Sequence, residues 1–231
     1  MSKTRILDGG SFDAVLFDLD GTLVDTAPDM VALLQSLQCE HDVDPVPYDL
    51  GRSNVSNGAW GLIRIGFPER DDDFLTQRHA EYMERYAAAV CVHSTLFPEL
   101  GALLDELDAS AIPWGVVTNK PERMTLPLLA ALGLRHRATC TVSGDTIAER
   151  KPDPGPLLHA SAVAGLVPGR TIYIGDAARD IEAGRAAGMA TIAASYGYIT
   201  ADDDPARWNA DIIAADTAEL AQIVRKAVSL D

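Results

Sequence analysis

Short runs of consecutive apolar residues, rich in Val and Ile, recur along the chain as AVLFDL (Ala14 to Leu19), PWGVVT (Pro113 to Thr118), TIYIG (Thr171 to Gly175), MATIAA (Met189 to Ala194) and ADIIA (Ala210 to Ala214). Runs of this length without alternation predict strands buried on both faces. Between them the apolar positions change period. Leu100, Leu103, Leu104 and Leu107 fall at i, i+3, i+4 and i+7, and Leu220, Ile223 and Val224 begin a similar stripe, so each stretch predicts an amphipathic helix. Gly133 and Gly188 are placed as helix stops. Strands alternating with helices predict an α/β fold, a doubly wound, Rossmann-like parallel sheet whose ligands gather at the carboxyl ends of the strands.

The alternation has one gap. From about Pro28 to Cys91 the pattern is helical, with Val31, Leu34 and Leu37 on one stripe, and no buried strand intervenes. This predicts a helical subdomain, residues 28–91, inserted into a core made of residues 1–27 and 92–231. Its middle, Asp49 to Gly61, is dense in Gly, Ser and Asn and is expected to be a loop approaching something closely. The insertion is expected to sit over the carboxyl edge of the sheet.

Composition narrows the functions open to such a fold. The 231 residues carry 19 basic and 34 acidic side chains, a net charge of −15, which argues against nucleic acid and anionic membranes as partners. Cys39, Cys91 and Cys140 show no C-x-x-C spacing, so neither a disulfide framework nor a zinc site is indicated. The amino-terminal MSKTRILDGG has no apolar stretch behind its basic residues and no membrane span follows, which makes a cytoplasmic location the expectation. His93 and His136 lack metal-site spacing, and Trp60, Trp114 and Trp208 are scattered, so packing is their expected role.

The candidate chemistry sits where strands end. Asp18 and Asp20, in DLDGT, follow the first strand, and two carboxylates so close repel unless a cation bridges them or one holds a proton. Thr118, Asn119 and Lys120 follow PWGVV and offer a hydroxyl, an amide and an ammonium to an anionic oxygen. Lys151 lies in Lys151-Pro152-Asp153-Pro154, where two prolines stiffen the loop and make the ammonium a placed charge. Asp176 follows TIYIG, and Asp180 lies one helical turn on. Each motif has a bland reading as a turn, a cap or a dipole partner. The set in this order has more to say.

Together, from Ala14 to the last helix, the four motifs resemble motifs one to four of the haloacid dehalogenase superfamily, and the insertion resembles its helical C1-type cap. The resemblance implies that Asp18 is a nucleophile forming an aspartyl phosphate, and that Asp20 is the general acid and base. It implies that Thr118, Lys151 and the backbone amide of Asn119 bind the phosphoryl group. Asp18, the main-chain carbonyl of Asp20 and Asp176 would then hold Mg2+, with Asp180 orienting Lys151 or metal-bound water. An acid at position 20 favours phosphoryl transfer over dehalogenation. The absence of lysine between Pro28 and Cys91 excludes the phosphonate-cleaving branch, which needs a Schiff-base lysine there. LFDLDGTLVDTAPDM and VVTNKPER resemble phosphoglycolate phosphatases, although Pro98-Glu99 and Ser56-Asn57-Gly58 depart from that group's Pro-Gly and Gly-x-Gly. HSTLFPEL, IPWGVVTNKPER and YGYITADDDPARWNADI resemble the N-acetylmuramic acid 6-phosphate phosphatases. The implied partner is a small phosphorylated metabolite, and the chain is expected to act as a monomer or homodimer.

Two other functions share these features. A sugar phosphomutase would use cap arginines, among Arg52, Arg64, Arg70, Arg78 and Arg85, to clamp a second phosphate. A receiver-type signalling domain would be phosphorylated without turnover, but has no use for an acid at Asp20. In the cap, Arg52, Ser56 and Asn57 are the candidate substrate contacts, with Arg52 meeting a substrate carboxylate.

Overall fold

A computed structural model describes residues 12–230, so the amino-terminal segment discussed above lies outside the described residues. Six parallel strands form one sheet: β1 (Ala14–Phe17), β4 (Trp114–Val117), β5 (Cys140–Val142), β6 (Thr171–Gly175), β7 (Ala190–Ala194) and β8 (Ile212–Ala214). Their order across the sheet is β5-β4-β1-β6-β7-β8, so the chain leaves β1 toward one edge and returns to build the other. That reversal beside β1 is a topological switch point, where doubly wound sheets open a crevice. A two-stranded antiparallel pair, β2 (Val24–Asp25) with β3 (Thr95–Leu96), stands apart from the sheet. The five predicted strands are present. The edge strand β5 was not predicted, because its three residues include a polar Thr141 and give too short a run to read.

Strand alternation decides which helix packs on which face. Val15, Phe17, Val116, Ile172, Ile174 and Ile192 join a cluster with α5 (Leu100–Ala109), α6 (Glu122–Ala131) and α9 (Thr217–Ala227). Leu16, Val117 and Tyr173 face the other way, onto α7 (Gly155–Ala164) and α8 (Ala178–Ala186). Helices on both faces explain why the strands are uninterrupted apolar runs.

The stretch between β2 and β3 is helical, with α1 (Ala27–Glu40), α2 (Tyr48–Asn54), α3 (Gly58–Gly66) and α4 (Asp72–Ala88) packed on one another. The expected loop at Asp49 to Gly61 is instead α2, a 3-10 turn at Val55–Asn57, and the start of α3. The small residues there serve packing: a Cβ on Gly51 would lie 2.8 Å from Val31 Cγ1, so glycine lets α2 approach α1. Leu34, Leu37, Leu62, Ile63, Phe67 and Tyr82 extend the same hydrophobic cluster that covers the sheet, making one continuous interior.

Both crossings into this helical stretch are tied together. Besides the β2–β3 pairing, buried Asp29 in the first turn of α1 accepts hydrogen bonds from the main-chain N–H groups of Val92 (3.0 Å), His93 (2.8 Å) and Ser94 (2.9 Å). The hydroxyl of Ser94 donates to it as well, at 2.6 Å. Removing that carboxylate leaves three N–H donors without their acceptor. Asp29→Ala is expected to lower the free energy of unfolding in urea by about 2–4 kcal/mol; a change within about 0.5 kcal/mol would show the tie to be dispensable.

Candidate active site

Register brings three of the four motifs to one level. Phe17 pairs with Val116 on one side and Ile174 on the other, so Asp18 emerges level with Val117 and Gly175, one residue before Thr118 and Asp176. Asp18, Thr118, Lys151, Asp176 and Asp180 are all buried at this edge. Turning the chain at Gly21 takes φ +81°, and a Cβ there would stand 2.1 Å from Asp176 Oδ2. Glycine is required at this point by both conformation and space.

Lys151 is the hub. Its ammonium lies 2.9 Å from Asp18 Oδ1 and 2.7 Å from Asp180 Oδ1, and donates to the carbonyl of Val117 (3.0 Å) and the hydroxyl of Tyr173 (2.8 Å). Burial disfavours its charge, but Asp18 and Asp180 outweigh that and hold its pKa above the usual lysine value. Asn119 fixes this loop from the next strand: its Nδ2 donates to the carbonyl of Lys151 (3.0 Å) and its Oδ1 accepts from the Lys151 N–H (3.1 Å). The Asn119 side chain is therefore committed to scaffolding. Its main-chain N–H, like those of Leu19 and Asp20, donates to nothing among the described residues. Thr118 Oγ1 accepts from the N–H of Lys120 at 3.1 Å.

Asp20 lies one step up, less buried than Asp18. Its Oδ1 accepts from Thr26 Oγ1 (2.7 Å) and from Lys120 Nζ (2.8 Å), and Lys120 also reaches the Tyr86 hydroxyl of α4 at 2.9 Å. Thr26, Tyr86 and Lys120 were not singled out from sequence for Asp20. Lys120 was visible as a strand-end ammonium, but only folding reveals which carboxylate it meets.

Asp176 makes no ion pair among the described residues. Its Oδ2 accepts from Ser56 Oγ (2.7 Å) and the Tyr198 N–H (2.8 Å), while its buried Oδ1 has no hydrogen-bond partner. Asp18 Oδ1 is likewise buried without a hydrogen bond, its ammonium neighbour being at ion-pair distance only. Oxygens of Asp18, Asp176 and Asp180 lie within 4.8 Å of one another. Hard carboxylate oxygens, two of them lacking hydrogen bonds, fit a divalent cation. Burial, with the charges of Asp18 and Asp180, pushes the Asp176 carboxyl up to about 7.

The cap candidates separate. Ser56 reaches Asp176, and Ser56 and Asn57 both line a cavity of about 530 Å3 whose walls also include Asp18, Asp20, Thr118 and Lys120. Arg52 does not line it. Its guanidinium donates to the carbonyls of Tyr196 (3.1 Å) and Gly197 (3.3 Å) and lies over the Tyr198 ring, 5.0 Å from its centre. The expected contact with a substrate carboxylate is thus replaced by a latch between α2 and the loop after β7, because those exposed carbonyls come within its reach. None of Arg64, Arg70, Arg78 and Arg85 lines the cavity either. Trp60 does, against the expectation of packing alone, and so do Arg150 and Arg179.

The sequence pattern of the haloacid dehalogenase-like hydrolases matches residues 15–194. The chain belongs to that family. It is 40% identical over 216 residues to an N-acetylmuramic acid 6-phosphate phosphatase of Pseudomonas aeruginosa, covering 93% of this chain and 96% of that one. To a phosphoglycolate phosphatase of Xanthomonas campestris it is 39% identical over 207 residues, 90% of this chain and 94% of the other. The crystal structure of a predicted phosphoglycolate phosphatase from Haemophilus somnus superposes with a TM-score of 0.81 at 29% identity, covering 93% of this chain and 98% of that one. Relatives with two substrate names at equal distance leave the leaving group to be argued from the cavity.

The raised acid at Asp176 has a consequence for stability. A carboxyl whose folded pKa is near 7, against 3.8 ordinarily, binds a proton more readily when folded. Its contribution is therefore greatest at low pH and is lost as pH rises toward and through 7. The EDTA-treated protein is expected to melt at a lower temperature at about pH 8 than at about pH 5.5, and an added divalent cation to narrow the difference. A Tm that is flat with pH in EDTA would contradict this.

Proposed function

We propose that this phosphoric monoester hydrolase works through a phosphoaspartyl intermediate on Asp18, at the floor of the cavity, with Asp20 as acid and base. The observation that carries the reading is the pair itself: a buried Asp18 carboxylate with an oxygen free of hydrogen bonds, and a second carboxylate, Asp20, lining the same cavity. Asp18 attacks phosphorus, the ester P–O bond breaks, and the leaving alkoxide takes a proton from Asp20. Asp20 then takes a proton from water as that water attacks the acyl phosphate, returning Asp18 and releasing inorganic phosphate.

The rest of the site supports this division. Lys120 and Thr26 hold Asp20 to one side of Asp18, where it reaches the leaving oxygen. Thr118 and the N–H groups of Leu19, Asp20 and Asn119, unpartnered among the described residues, offer donors to the phosphoryl oxygens, and Lys151, whose protons are shared among Val117, Tyr173, Asp18 and Asp180, adds its charge. Asp180 keeps Lys151 charged and in place. Asp18, Asp176 and the carbonyl of Asp20 are the residues that would hold Mg2+, which when bound offsets the carboxylate charge that otherwise repels a phosphate dianion. Residues 28–91 act as the cap. None of the cap arginines lines the cavity, so the cap itself supplies no clamp for a second phosphate, which favours hydrolysis over a phosphomutase reaction. The substrate is a small phosphomonoester of the kind that the relatives' names specify. Among the described residues no helix is long and apolar enough to cross a membrane, which agrees with a metabolite as substrate.

Asp18→Asn is expected to abolish measurable turnover of p-nitrophenyl phosphate while the circular dichroism spectrum stays that of the wild type; retention of ~10% of activity would rule out the intermediate on Asp18. Asp20→Asn is expected to lower kcat by roughly 10²–10⁴. Activity should disappear in EDTA and return with Mg2+ but not with Ca2+, which is larger and less demanding in its coordination. Equal rates with the two cations would count against this site.

A further inference from the structure

Trp60, Arg150 and Arg179 have no part in the chemistry above, yet all three line the cavity. At about 530 Å3 it falls within the range of roughly 300–1,000 Å3 in which pockets enclose drug-sized ligands. A two-carbon phosphoacid covers only the floor of such a space.

The two walls differ in chemistry. Helices of the cap contribute aromatic and apolar groups, Trp60, His79 and Met83 among them, and no Lys, Arg, Asp or Glu. The ring of Trp60 lies flat on His79, with centroids 4.1 Å apart and planes at 9°, and the Arg64 guanidinium sits 5.8 Å from its centre. Two neighbours thus fix a tryptophan that remains 40% exposed. A rigid aromatic side chain exposed to that extent at a cavity wall suits apolar contact with the C–H groups of a sugar-like ring.

The cations come from the core wall. Lys120 faces Asp20, so its charge is already matched. Arg179 is different: its Nη2 donates to the carbonyl of Ser56 at 2.7 Å, which aims the guanidinium toward the cap, and among the described residues it makes no ion pair. The acids whose charges act on it, Asp180, Asp18 and Asp176, belong to Lys151 and the cation site. Exposed Arg150, on the loop before Lys151, likewise has no side-chain partner among the described residues.

From these two walls we infer a leaving-group subsite for a ring-sized phosphomonoester that carries a second anionic group, the ring lying against Trp60 and Met83 and the anion toward Arg179 and Arg150. The inference rests on the phosphatase reading and specifies its substrate class.

Three probes with Mg2+ separate the parts: N-acetylmuramic acid 6-phosphate has ring and carboxylate, N-acetylglucosamine 6-phosphate the ring alone, and 2-phosphoglycolate the carboxylate alone. The wild type is expected to favour the first over the last by ~10-fold or more in kcat/KM. Trp60→Ala should cut the advantage of both sugars over phosphoglycolate by ~10-fold, and Trp60→Phe should restore most of it. Arg179→Met should cut the advantage of the carboxylated sugar over the uncarboxylated one by ~10-fold, the loss of about one charge-assisted hydrogen bond. Phosphoglycolate turned over as well as the sugars, or ratios unmoved by either variant, would overturn the subsite while p-nitrophenyl phosphate hydrolysis still upheld the phosphatase. An equal loss on all three probes in Arg179→Met would place that guanidinium at the phosphoryl group and overturn its assignment here. Failure to hydrolyse p-nitrophenyl phosphate would remove the phosphatase reading and the subsite with it.

Discussion

Lys151 Nζ sits between Asp18 and Asp180 at under 3 Å from each, all three side chains buried. The buried ammonium is tolerated because these carboxylates surround it, and the carboxylates of Asp18 and Asp180 because the ammonium does. Each therefore requires the other, and the rest of the site follows from their unequal numbers. One ammonium balances part of the charge on Asp18, Asp176 and Asp180. The remainder falls on Asp176, whose carboxyl is pushed toward neutrality until something positive takes the proton's place. Such an excess of buried carboxylate charge suits a divalent cation, which on the proposed reading would offset the repulsion that a phosphate meets here.

Holding that charge cluster together is the work of the sheet and of a few polar ties. Parallel pairing at Phe17 with Val116 and Ile174 sets these strand ends level, so three of the four motifs meet there, and the Lys151 loop is brought in beside them. Asn119 then pins the Lys151 loop, and Tyr198 joins Asp176 to the start of the cap: its N–H donates to Asp176, while its hydroxyl accepts from the N–H groups of Thr26 (2.7 Å) and Ala27 (2.9 Å). The cap is anchored at its root by Asp29 and over the site by Arg52, Ser56 and Arg179. On the proposed reading chemistry and selectivity are thereby separated: core residues would meet the phosphoryl group, and residues 28–91 whatever is attached to it.

The sequence by itself determined the parts whose cause is local. Uninterrupted Val- and Ile-rich runs specified strands buried on both faces, leucine spacing specified the helices on them, and carboxylates and a hydroxyl just past the strand ends, with a lysine in a proline-stiffened loop, specified the chemistry, because a strand end in a doubly wound sheet has only one place to point. What the tertiary structure decided is every relation between residues distant along the chain. Arg52 was legible as a cap cation but not as a latch, since the carbonyls of Tyr196 and Gly197 that capture it lie more than a hundred residues away. The Gly- and Ser-dense stretch around Asp49 to Gly61 was legible as a place of close approach but not as helix, because what Gly51 avoids is Val31 on another helix. Lys120 meeting Asp20, Arg179 meeting the Ser56 carbonyl, and Trp60 reaching the cavity depend on how the cap settles over the sheet. That placement is set by the summed packing of a shared hydrophobic interior, a quantity that no local periodicity encodes.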